Sequence, residues 1–526
     1  MTMDSSILSL IVFFPTVGAI LLALLPANPT IQKWGALVVT LVTFLFTLHL
    51  PAHFQYGATG YQFEVNAPWI AAPAIRYHLG VDGLSMWLVV LSGFLAPLGV
   101  LISWRAIDKR EKLFYTLFLL QQTAMIGVFV ALDLFLYYGF WEWSLVPMTV
   151  LIAIFGRTDK RAKAALKYFL YAFIPSAILL VGMLWVYAKT GTFDLPVLQQ
   201  MAASHSISSN NAALWLASLA FLVAFAVKVP VFPLHGWLSD AIFEAPTAAV
   251  MVLAGKLGLY SILRFSFGIF PEQSREIAPL MIALGAIGIA YGALVALVQK
   301  DLKRLAAYST LGHLSFIVLG IFSFTVAGID GGVYQIINHG VSGGALFMLM
   351  GALYERYGTY DMRELGGVAQ KLPWMVTLFV ITALSNIGLP GLNGFVGEFL
   401  TLSGSLQTIY TAHAAVWTTI ATTGVIFGAG YMLWAIQRVF YGGIGRRPDE
   451  VAGWDLDARE QVALWPMAIL FVVMGVCSPY WMQAIDSFGV SVAGKPAITE
   501  SNGYPQPTKN LAFPGTPVTG TEGGAR

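Results

Sequence analysis

Six ionisable side chains lie inside strongly apolar stretches of this 526-residue sequence, where lipid would be the expected surroundings. Two are glutamates, two are lysines and two are histidines: Glu142, Lys228, Lys256, His313, His339 and Glu398. A charge at the centre of a bilayer costs about 2.5–3.5 kcal/mol on insertion scales, so each group is expected to face a protein interior or a water-filled path. Because all six can bind and release a proton, they indicate a proton relay.

The competing interpretation is that these charges only hold the helices together. One Glu–Lys pair would suit that role, but six titratable groups spread over six helices make a poor core. The histidines are weaker evidence, because a buried histidine is more often simply hydrogen-bonded. Lysine suits a relay because burial disfavours its charged form, whereas a nearby carboxylate favours it. We therefore expect Glu142 to control the charge of Lys228, and Lys256 with the two histidines to carry the proton towards Glu398.

Two of these groups stand beside a predicted break in a helix. Lys228 is followed by Pro230 and Pro233, and Glu398 follows the stretch 388–394, which contains three glycines, a proline and an asparagine. Proline removes a backbone donor and blocks the helical turn. Non-helical backbone at membrane depth is tolerated only against protein or a wet cavity. Both breaks therefore point to a hydrated or protein-lined site.

The composition places the chain in a membrane. Hydrophobic residues make up 57% of it and charged residues only 11%, against about 25% charged residues in a soluble domain. Fourteen apolar runs long enough to span a bilayer lie at 5–25, 32–50, 84–104, 113–132, 134–155, 165–187, 212–233, 247–268, 277–298, 304–324, 332–354, 373–405, 415–437 and 462–484. We predict an all-α polytopic membrane protein with about fourteen transmembrane helices. Because the breaks fall in spans 7 and 12, spans 4–8 and 9–13 would be two inverted five-helix repeats.

The basic residues predict the orientation of the chain. Alternate loops divide them unequally: 20 of the 29 Lys and Arg lie on one side, six on the other and three within spans. Cytoplasmic loops are enriched in positive residues, so the poorer side, which carries both termini, is predicted to be non-cytoplasmic. The poorer side holds Arg76, Lys189, Arg275, Lys495, Lys509 and Arg526, and the spans hold Lys228, Lys256 and Arg264.

The same spans divide the chain into four parts. Residues 1–111 would hold spans 1–3, and residues 112–270 the first repeat, which carries Lys228 and would be the proton-pumping half. Residues 271–440 would hold the second repeat. Residues 441–526 would hold the last span and a tail rich in glycine and proline, which we expect to be a flexible or extended arm from about residue 485.

Nothing in the sequence indicates a cofactor or a nucleic-acid partner. The formal net charge is only +2, which leaves no strong basic field for nucleic acid. The single cysteine, Cys477, excludes disulfides within the chain and a self-contained iron–sulfur cluster. Walker A and dinucleotide-binding glycine motifs are absent as well. We therefore expect no cofactor in this chain and a driving force that comes from another subunit or from an ion gradient.

Five segments around the buried ionisable residues resemble one known family. They are LFLYYGFWEWSLVPM, KVPVFPLHGWLSDAIFEAPT, QKDLKRLAAYSTLGHLSF, INHGVSGGALF and GLPGLNGFVGEFL. They resemble the antiporter-like, proton-pumping subunits of respiratory complex I (NADH:quinone oxidoreductase), and among these the M type, or chain 4 of mitochondria. The resemblance implies a non-redox module of the membrane arm in a bacterial cell membrane, between related L-type and N-type subunits. It also implies that NADH, FMN, iron–sulfur clusters and quinone belong to other subunits.

The resemblance implies a role for each of the six residues. The family's relay has a glutamate in helix five, lysines in broken helix seven and in helix eight, histidines in helices ten and eleven, and a charged group in helix twelve. In that order, the matching residues are Glu142, Lys228, Lys256, His313, His339 and Glu398. Sister subunits resemble this chain with lysine at the last position, so Glu398 favours the M type. The chain departs from the family where LPDAH is usual and LSDAI stands here, although His235 just upstream is retained.

Two related functions stay open beside this one. The chain would also fit a subunit of a multisubunit sodium/proton antiporter, many of which resemble it but have lysine in place of Glu398. The other alternative is the membrane subunit of an energy-converting hydrogenase, a relative that uses a different electron source. A scaffold without transport is the remaining interpretation, and the number of buried titratable groups argues against it.

Overall fold

Long apolar helices make up most of the chain. In the computed structural model, which describes residues 6–58, 60–207, 211–253, 256–443 and 455–494, twelve helices are long and apolar enough to cross a membrane. Two shorter apolar helices, Ala212–Lys228 and Pro373–Asn386, lie where spans 7 and 12 were predicted. The prediction of a polytopic helical membrane protein is therefore confirmed. The total of fourteen spans, the inverted repeats and the four parts of the chain stay predictions.

The helices follow one another in an order that fixes the position of every candidate residue. In the first half of the chain they are α1 (Ile7–Leu24), α2 (Pro29–His53), α3 (Met86–Ala106), α4 (Glu111–Val130), α5 (Leu134–Trp143), α6 (Leu145–Phe155), α7 (Arg161–Thr190), α8 (Leu195–Ala203), α9 (Asn211–Lys228), α10 (Leu238–Glu244), α11 (Thr247–Leu253), α12 (Lys256–Ser261) and α13 (Phe267–Ile269). In the second half they are α14 (Pro271–Glu276), α15 (Ala278–Leu297), α16 (Leu302–Ile321), α17 (Val326–Tyr357), α18 (Pro373–Asn386), α19 (Asn393–Leu406), α20 (Ala414–Ile436), α21 (Ala458–Val476) and α22 (Pro479–Ala493). Two π-helical segments (Ile262–Ser266 and Gln437–Tyr441) and a 3₁₀ turn (Val368–Gln370) are also present.

Both predicted helix breaks are confirmed. α9 ends at Lys228, and helix resumes only with α10. Across this gap the indole of Trp237 donates to the carbonyl oxygen of Val227 at 2.9 Å, so one backbone acceptor at the end of α9 has a partner. The second break separates α18 from α19, between Asn386 and Asn393. Non-helical backbone therefore lies close to a titratable group in each case.

The two helices that carry the candidate histidines lie at the centre of the bundle. Almost every residue of α16 and α17 is buried. By contrast, α1, α2 and α7 expose much of their apolar surface, as lipid-facing helices do. His313 on α16 and His339 on α17 are therefore shielded from lipid by the surrounding helices.

One helical feature departs from the expectations, and another was not anticipated. Span 8 is found as one candidate span, Thr247–Ile269, and within it α12 is followed by a π-helical segment that carries Arg264, whose buried guanidinium pairs with Asp82. The predicted tail begins later than residue 485, because α22 continues to Ala493 with its buried residues at helical spacing: Trp481, Ala484, Ile485 and Gly489. Some of the predicted features lie outside the described residues: the tail from 495 to 526, and the loop residues Arg446 and Arg447.

A β-hairpin was not predicted. β1 (Gln62–Ile70) and β2 (Ile75–Val81) pair antiparallel between α2 and α3. The hairpin contacts the turn between α4 and α5, where the amide of Leu132 donates to the carbonyl oxygen of His78 at 2.9 Å. A search for long apolar runs misses such strands, because they are short and only one of the two is largely buried.

The side chain of His78 ties the hairpin to the segment before α8. Its Nδ1 lies 2.5 Å from an Asp194 oxygen and its Nε2 lies 2.6 Å from a Glu64 oxygen. Burial lowers the pKa of His78, but the two carboxylates outweigh burial and hold the pKa above its usual range. Asp133, in the same corner, accepts two amides at the start of α5, the helix that carries Glu142. The hairpin and the start of α5 are therefore fixed to one another.

Docking of the hairpin is expected to weaken as the pH rises. The folded-state pKa of His78 lies above the ordinary 6.5, so its ion pairs stabilise the docked hairpin fully below that pH. This contribution is lost as the pH rises through the raised pKa. Hydrogen exchange of residues 62–81, corrected for its intrinsic pH dependence, should accelerate at alkaline pH in the wild type. In His78→Gln, these residues should exchange fast at every pH. The exposed control His53→Gln should behave like the wild type. A wild-type exchange rate that, after the same correction, does not depend on pH would contradict the prediction.

Candidate proton-transfer site

Lys228 lies at the end of α9, and no carboxylate within the described residues pairs with it. Its side chain is buried, and its ammonium donates to the hydroxyl of Tyr168 at 3.2 Å. The same nitrogen lies 5.4 Å from the ring centroid of Trp141 and 5.3 Å from that of Tyr168. Aromatic faces attract a cation but supply no negative charge. The surroundings therefore hold the ammonium without a fixed counter-ion among the described residues.

Glu142 is the carboxylate nearest to Trp141 in the sequence, and it is half-buried on α5. Its Oε1 is buried and has no hydrogen-bond partner among the described atoms. The structure does not place it within ion-pair distance of Lys228, so the expected electrostatic contact is not formed in this conformation. A buried carboxylate oxygen without a partner is costly, and water or a cation is its ordinary means of compensation.

Lys256 and the two histidines lie on three different helices. Lys256, on α12, is buried, and its ammonium donates to the carbonyl oxygen of Met251 at 3.0 Å. His339 lies on α17, which packs against α16, the helix that carries His313. The rings of His313 and His339 are 5.6 Å apart between centroids and inclined by 46°. The two histidines therefore lie side by side on neighbouring helices.

Glu398 lies beside this pair of histidines. Its Oε1 lies 3.3 Å from Nδ1 of His313, an ion-pair distance that lacks hydrogen-bond geometry. Both ring nitrogens of His313 and Nδ1 of His339 have no hydrogen-bond partner among the described residues. Buried polar groups are nearly always satisfied by protein or by ordered water. Ordered water beside these nitrogens would satisfy them.

A small cavity beside His313 and Glu398 has room for such water. The space open to water inside it is about 20 Å³. A cavity needs roughly 10–15 Å³ of such space to hold one water. The polar residues Ser309, Asn386 and Tyr431 line it together with the two relay groups. The Tyr431 hydroxyl donates to the Ser309 hydroxyl at 2.7 Å. A water in this cavity would therefore find several polar partners.

The second helix break holds Glu398 against this cavity. The amide of Asn338 donates to the carbonyl oxygen of Asn393 at 2.8 Å, and the Ser385 hydroxyl donates to the Asn393 side chain at 2.6 Å. Gly388 has φ +69°, and a Cβ at that position would collide with the Glu398 carboxylate. Glycine suits this position for two reasons. It adopts the left-handed backbone conformation easily, and it leaves space for the Glu398 carboxylate.

The structure brings three of the six predicted residues together, His339, His313 and Glu398. Lys256 is buried on α12, and Lys228 lies by the rings of Trp141 and Tyr168. Within the described residues, no ion pair joins Glu142 to Lys228. Several residues that contact the six were missed: Trp141, Tyr168, Ser309, Asn386 and Tyr431. Ser309 precedes His313 by four positions on α16 and so shares its face, a spacing that could have revealed it. The others come from distant parts of the chain, and within the described residues no cluster of three or more His, Cys, Asp or Glu could hold a metal.

Known proteins resemble this chain over most of its length. The transmembrane family described as NADH:quinone oxidoreductase/Mrp antiporter matches residues 131–427, the region that holds all six candidates. NADH-quinone oxidoreductase subunit M of Rhodobacter capsulatus is 38% identical over 504 residues, which cover 93% of this chain and 96% of that protein. A chain of respiratory complex I from Thermus thermophilus is 31% identical with a TM-score of 0.83, over 92% of this chain and 99% of that one.

A more distant structure shares the fold alone. A chain of the Mrp complex from Dietzia matches with a TM-score of 0.80 at 22% identity, over 94% of this chain and 52% of that one. The identity to the M subunits is higher and extends over almost the full length of both partners. This chain therefore belongs to the family of NADH-quinone oxidoreductase M subunits, within the wider NADH:quinone oxidoreductase/Mrp antiporter transmembrane family.

Proposed function

We propose that this chain translocates protons as a membrane-arm subunit of an NADH:quinone oxidoreductase. The proposal is carried by the buried series His339, His313 and Glu398, with unpartnered ring nitrogens and a water-sized cavity at its end. A set of structural charges would be paired and satisfied, because an unpartnered buried polar atom destabilises the fold. The chain acts as a translocase without redox chemistry of its own.

The proton moves through the chain in two stages. In the first, Glu142 approaches Lys228 and favours its charged form, and its withdrawal releases the proton towards Lys256. The aromatic rings around Lys228 keep its ammonium in place while the carboxylate is away. In the second stage, the two histidines pass the proton to Glu398 with the help of water. Residues 112–270 therefore form the half that takes up the proton, and residues 271–440 the half that hands it on.

The subunit works inside a larger membrane complex. It lies in the bacterial cell membrane with both termini on the non-cytoplasmic side, between related L-type and N-type subunits. The long lipid-facing α1, α2 and α7 and the apolar surface of the bundle support this placement. NADH, FMN, iron–sulfur clusters and quinone belong to other subunits, and this chain contributes no ligand to them.

The proposal is tested with sealed inverted membrane vesicles that contain the assembled complex. NADH should acidify the vesicle interior, and a sodium ionophore should leave the acidification unchanged. Acidification that requires sodium would favour the second candidate, a sodium/proton antiporter subunit, which the fold shared with the Mrp chain supports. A tagged chain that purifies without NADH:quinone oxidoreductase activity would contradict the proposal.

Glu142→Gln is expected to slow proton pumping strongly. The amide keeps the size of the side chain but supplies no negative charge to Lys228, so the lysine loses the group that favours its protonated form. Glu142→Asp should retain part of the activity if the shorter carboxylate still reaches. NADH-driven acidification, normalised to assembled complex, measures both variants, with the exposed Glu276→Gln as the control. Equal pumping by the Gln variant and the wild type would exclude the electrostatic role.

A further inference from the structure

The short helix α10 touches both halves of the chain. It is the distal part of the broken helix that begins with α9, and nine residues lie between Lys228 and its start at Leu238. α10 packs against α7 in the first half and against α16 in the second half. Because α16 also carries His313, this one helix is in contact with an element that belongs to the relay. The contacts at its end are therefore of particular interest.

Lys303, on the first turn of α16, binds the C-terminal end of α10. Its side chain is only 4% exposed. Its ammonium donates to the carbonyl oxygens of Phe243 at 3.2 Å and Ala245 at 2.7 Å. The last carbonyls of a helix lack intrahelical partners and carry the negative end of the helix dipole, so an ammonium at this place is a favourable cap. Here the cap comes from a different helix, in the other half of the chain.

Arg304, next to Lys303, makes a second set of contacts with α10. Its guanidinium lies 3.3 Å from the Ser239 hydroxyl and 3.5 Å from an oxygen of Asp240. It also lies 4.3 Å from the ring centroid of Phe243. Asp240 is shared between the halves, because its other oxygen accepts from Lys167 of α7 at 2.8 Å.

The first half holds the same end of α10. Glu244, the last residue of the helix, is buried and accepts from the amide of Thr158 at 2.8 Å and from its hydroxyl at 2.5 Å. The guanidinium of Arg157 lies 4.0 Å from the ring centroid of Phe243. Phe243 thus contacts one guanidinium from each half. α10 is therefore bound at its end to α16 and to the loop that precedes α7.

We propose that α10 is the link through which a change of charge at Lys228 reaches the second half, and that Lys303 is the positioning residue of this link. The proposal rests on the proposed proton-translocating function. Tyr168, which accepts from Lys228, packs against Trp237, the residue before α10, with their ring centroids 5.3 Å apart. A change of charge at Lys228 therefore reaches α10 through these two rings. Lys303 and Arg304 transmit that change to α16. His313 lies ten residues further along α16, about 15 Å by helical rise.

The test compares Lys303→Met with Lys303→Arg in the assembled complex. Methionine keeps the length of the stem but removes the cap, so the protons moved per NADH oxidised should fall about tenfold, because small displacements of proton-transfer groups have large effects on rate. Arginine keeps the charge and should restore at least half of the ratio. The exposed Lys300→Met serves as the control and should behave as the wild type. A purely structural role would lower the amount of assembled complex but leave the ratio unchanged.

Two outcomes would overturn the link without touching the proposed function. One is a normal ratio in assembled Lys303→Met complexes while Lys228→Met abolishes pumping. If Lys303→Met fails to assemble, Arg304→Gln replaces it, because Arg304 is half-buried and contacts α10 through Ser239 and Asp240. A normal ratio in that variant would be the second outcome. Normal pumping by Lys228→Met would instead contradict the proposed function itself.

Discussion

Lys228→Met is expected to abolish NADH-driven proton translocation while the complex still assembles. Methionine fills the space between Trp141 and Tyr168 but has no proton to bind. A positioned acid–base group typically contributes a factor of about 10²–10⁴, so the remaining rate should fall to the background of the vesicles. The measurement is the initial rate of acidification per assembled complex in inverted vesicles, together with the number of protons moved per NADH.

Lys228→Arg separates titration from charge. Arginine keeps the positive charge and can contact the same aromatic rings, but it does not lose its proton in proteins. If Lys228 works by gaining and losing a proton, the Arg variant should fail as completely as the Met variant. If the lysine were only a structural cation, Arg should rescue the activity. Lys189→Met, at an exposed position of α7, is the control for the loss of one lysine.

Not every buried charge of this chain calls for a role in transport. Arg264, which the sequence places inside span 8, is 2% exposed and forms a bidentate pair with Asp82 at 2.5 and 2.7 Å. Its Nε donates to the Tyr260 hydroxyl at 3.1 Å, so the guanidinium is well satisfied. Such a pair is a structural contact between a helix and the segment before α3. The relay residues differ from it, because several of their polar atoms have no partner among the described residues.

The helix breaks and the depth of the six titratable groups could be predicted because both are local properties. The two prolines after Lys228 and the glycine-rich stretch before Glu398 disfavour helix locally, whereas the single prolines Pro97 and Pro175 lie inside continuous helices. The neighbours of those groups could not be predicted in the same way. Tyr168 lies 60 residues from Lys228, and Lys303 is 58 residues from the carbonyl of Ala245 that it binds. Such contacts depend on how helices pack, which the pattern of a single sequence does not specify.

The contact between Glu142 and Lys228 illustrates a second limit. Residue types predicted an ion pair, because a buried ammonium and a buried carboxylate attract each other. The structure instead places the Trp141 ring against the ammonium and leaves Glu142 Oε1 unpartnered. A relay needs more than one arrangement of the same groups, and residue types do not say which arrangement a single structure represents. The separation of Glu142 from Lys228 in this structure is therefore compatible with the proposed movement of Glu142.

Glu398→Ala is expected to stop translocation at the end of the relay. The substitution removes the group that lies 3.3 Å from His313 and leaves the histidine with no onward acceptor among the residues that line the cavity. Glu398→Gln should fail as well, because the amide fits the same space beside Gly388 but does not titrate. The exposed Glu276→Ala is the control. NADH-driven acidification in reconstituted liposomes measures all three variants.

Glu398→Lys gives the sharpest test of what this position does. A lysine binds and releases a proton with the opposite cycle of charge, positive when loaded and neutral when empty, so it should retain part of the function where Ala and Gln do not. The Ser309 and Tyr431 hydroxyls could solvate it within the cavity. If the Ala variant pumps as fast as the wild type, Glu398 is not on the path and the relay ends at His313. If Lys fails along with Ala and Gln, the position requires a carboxylate, because His313 then needs a negative partner and not only a proton acceptor.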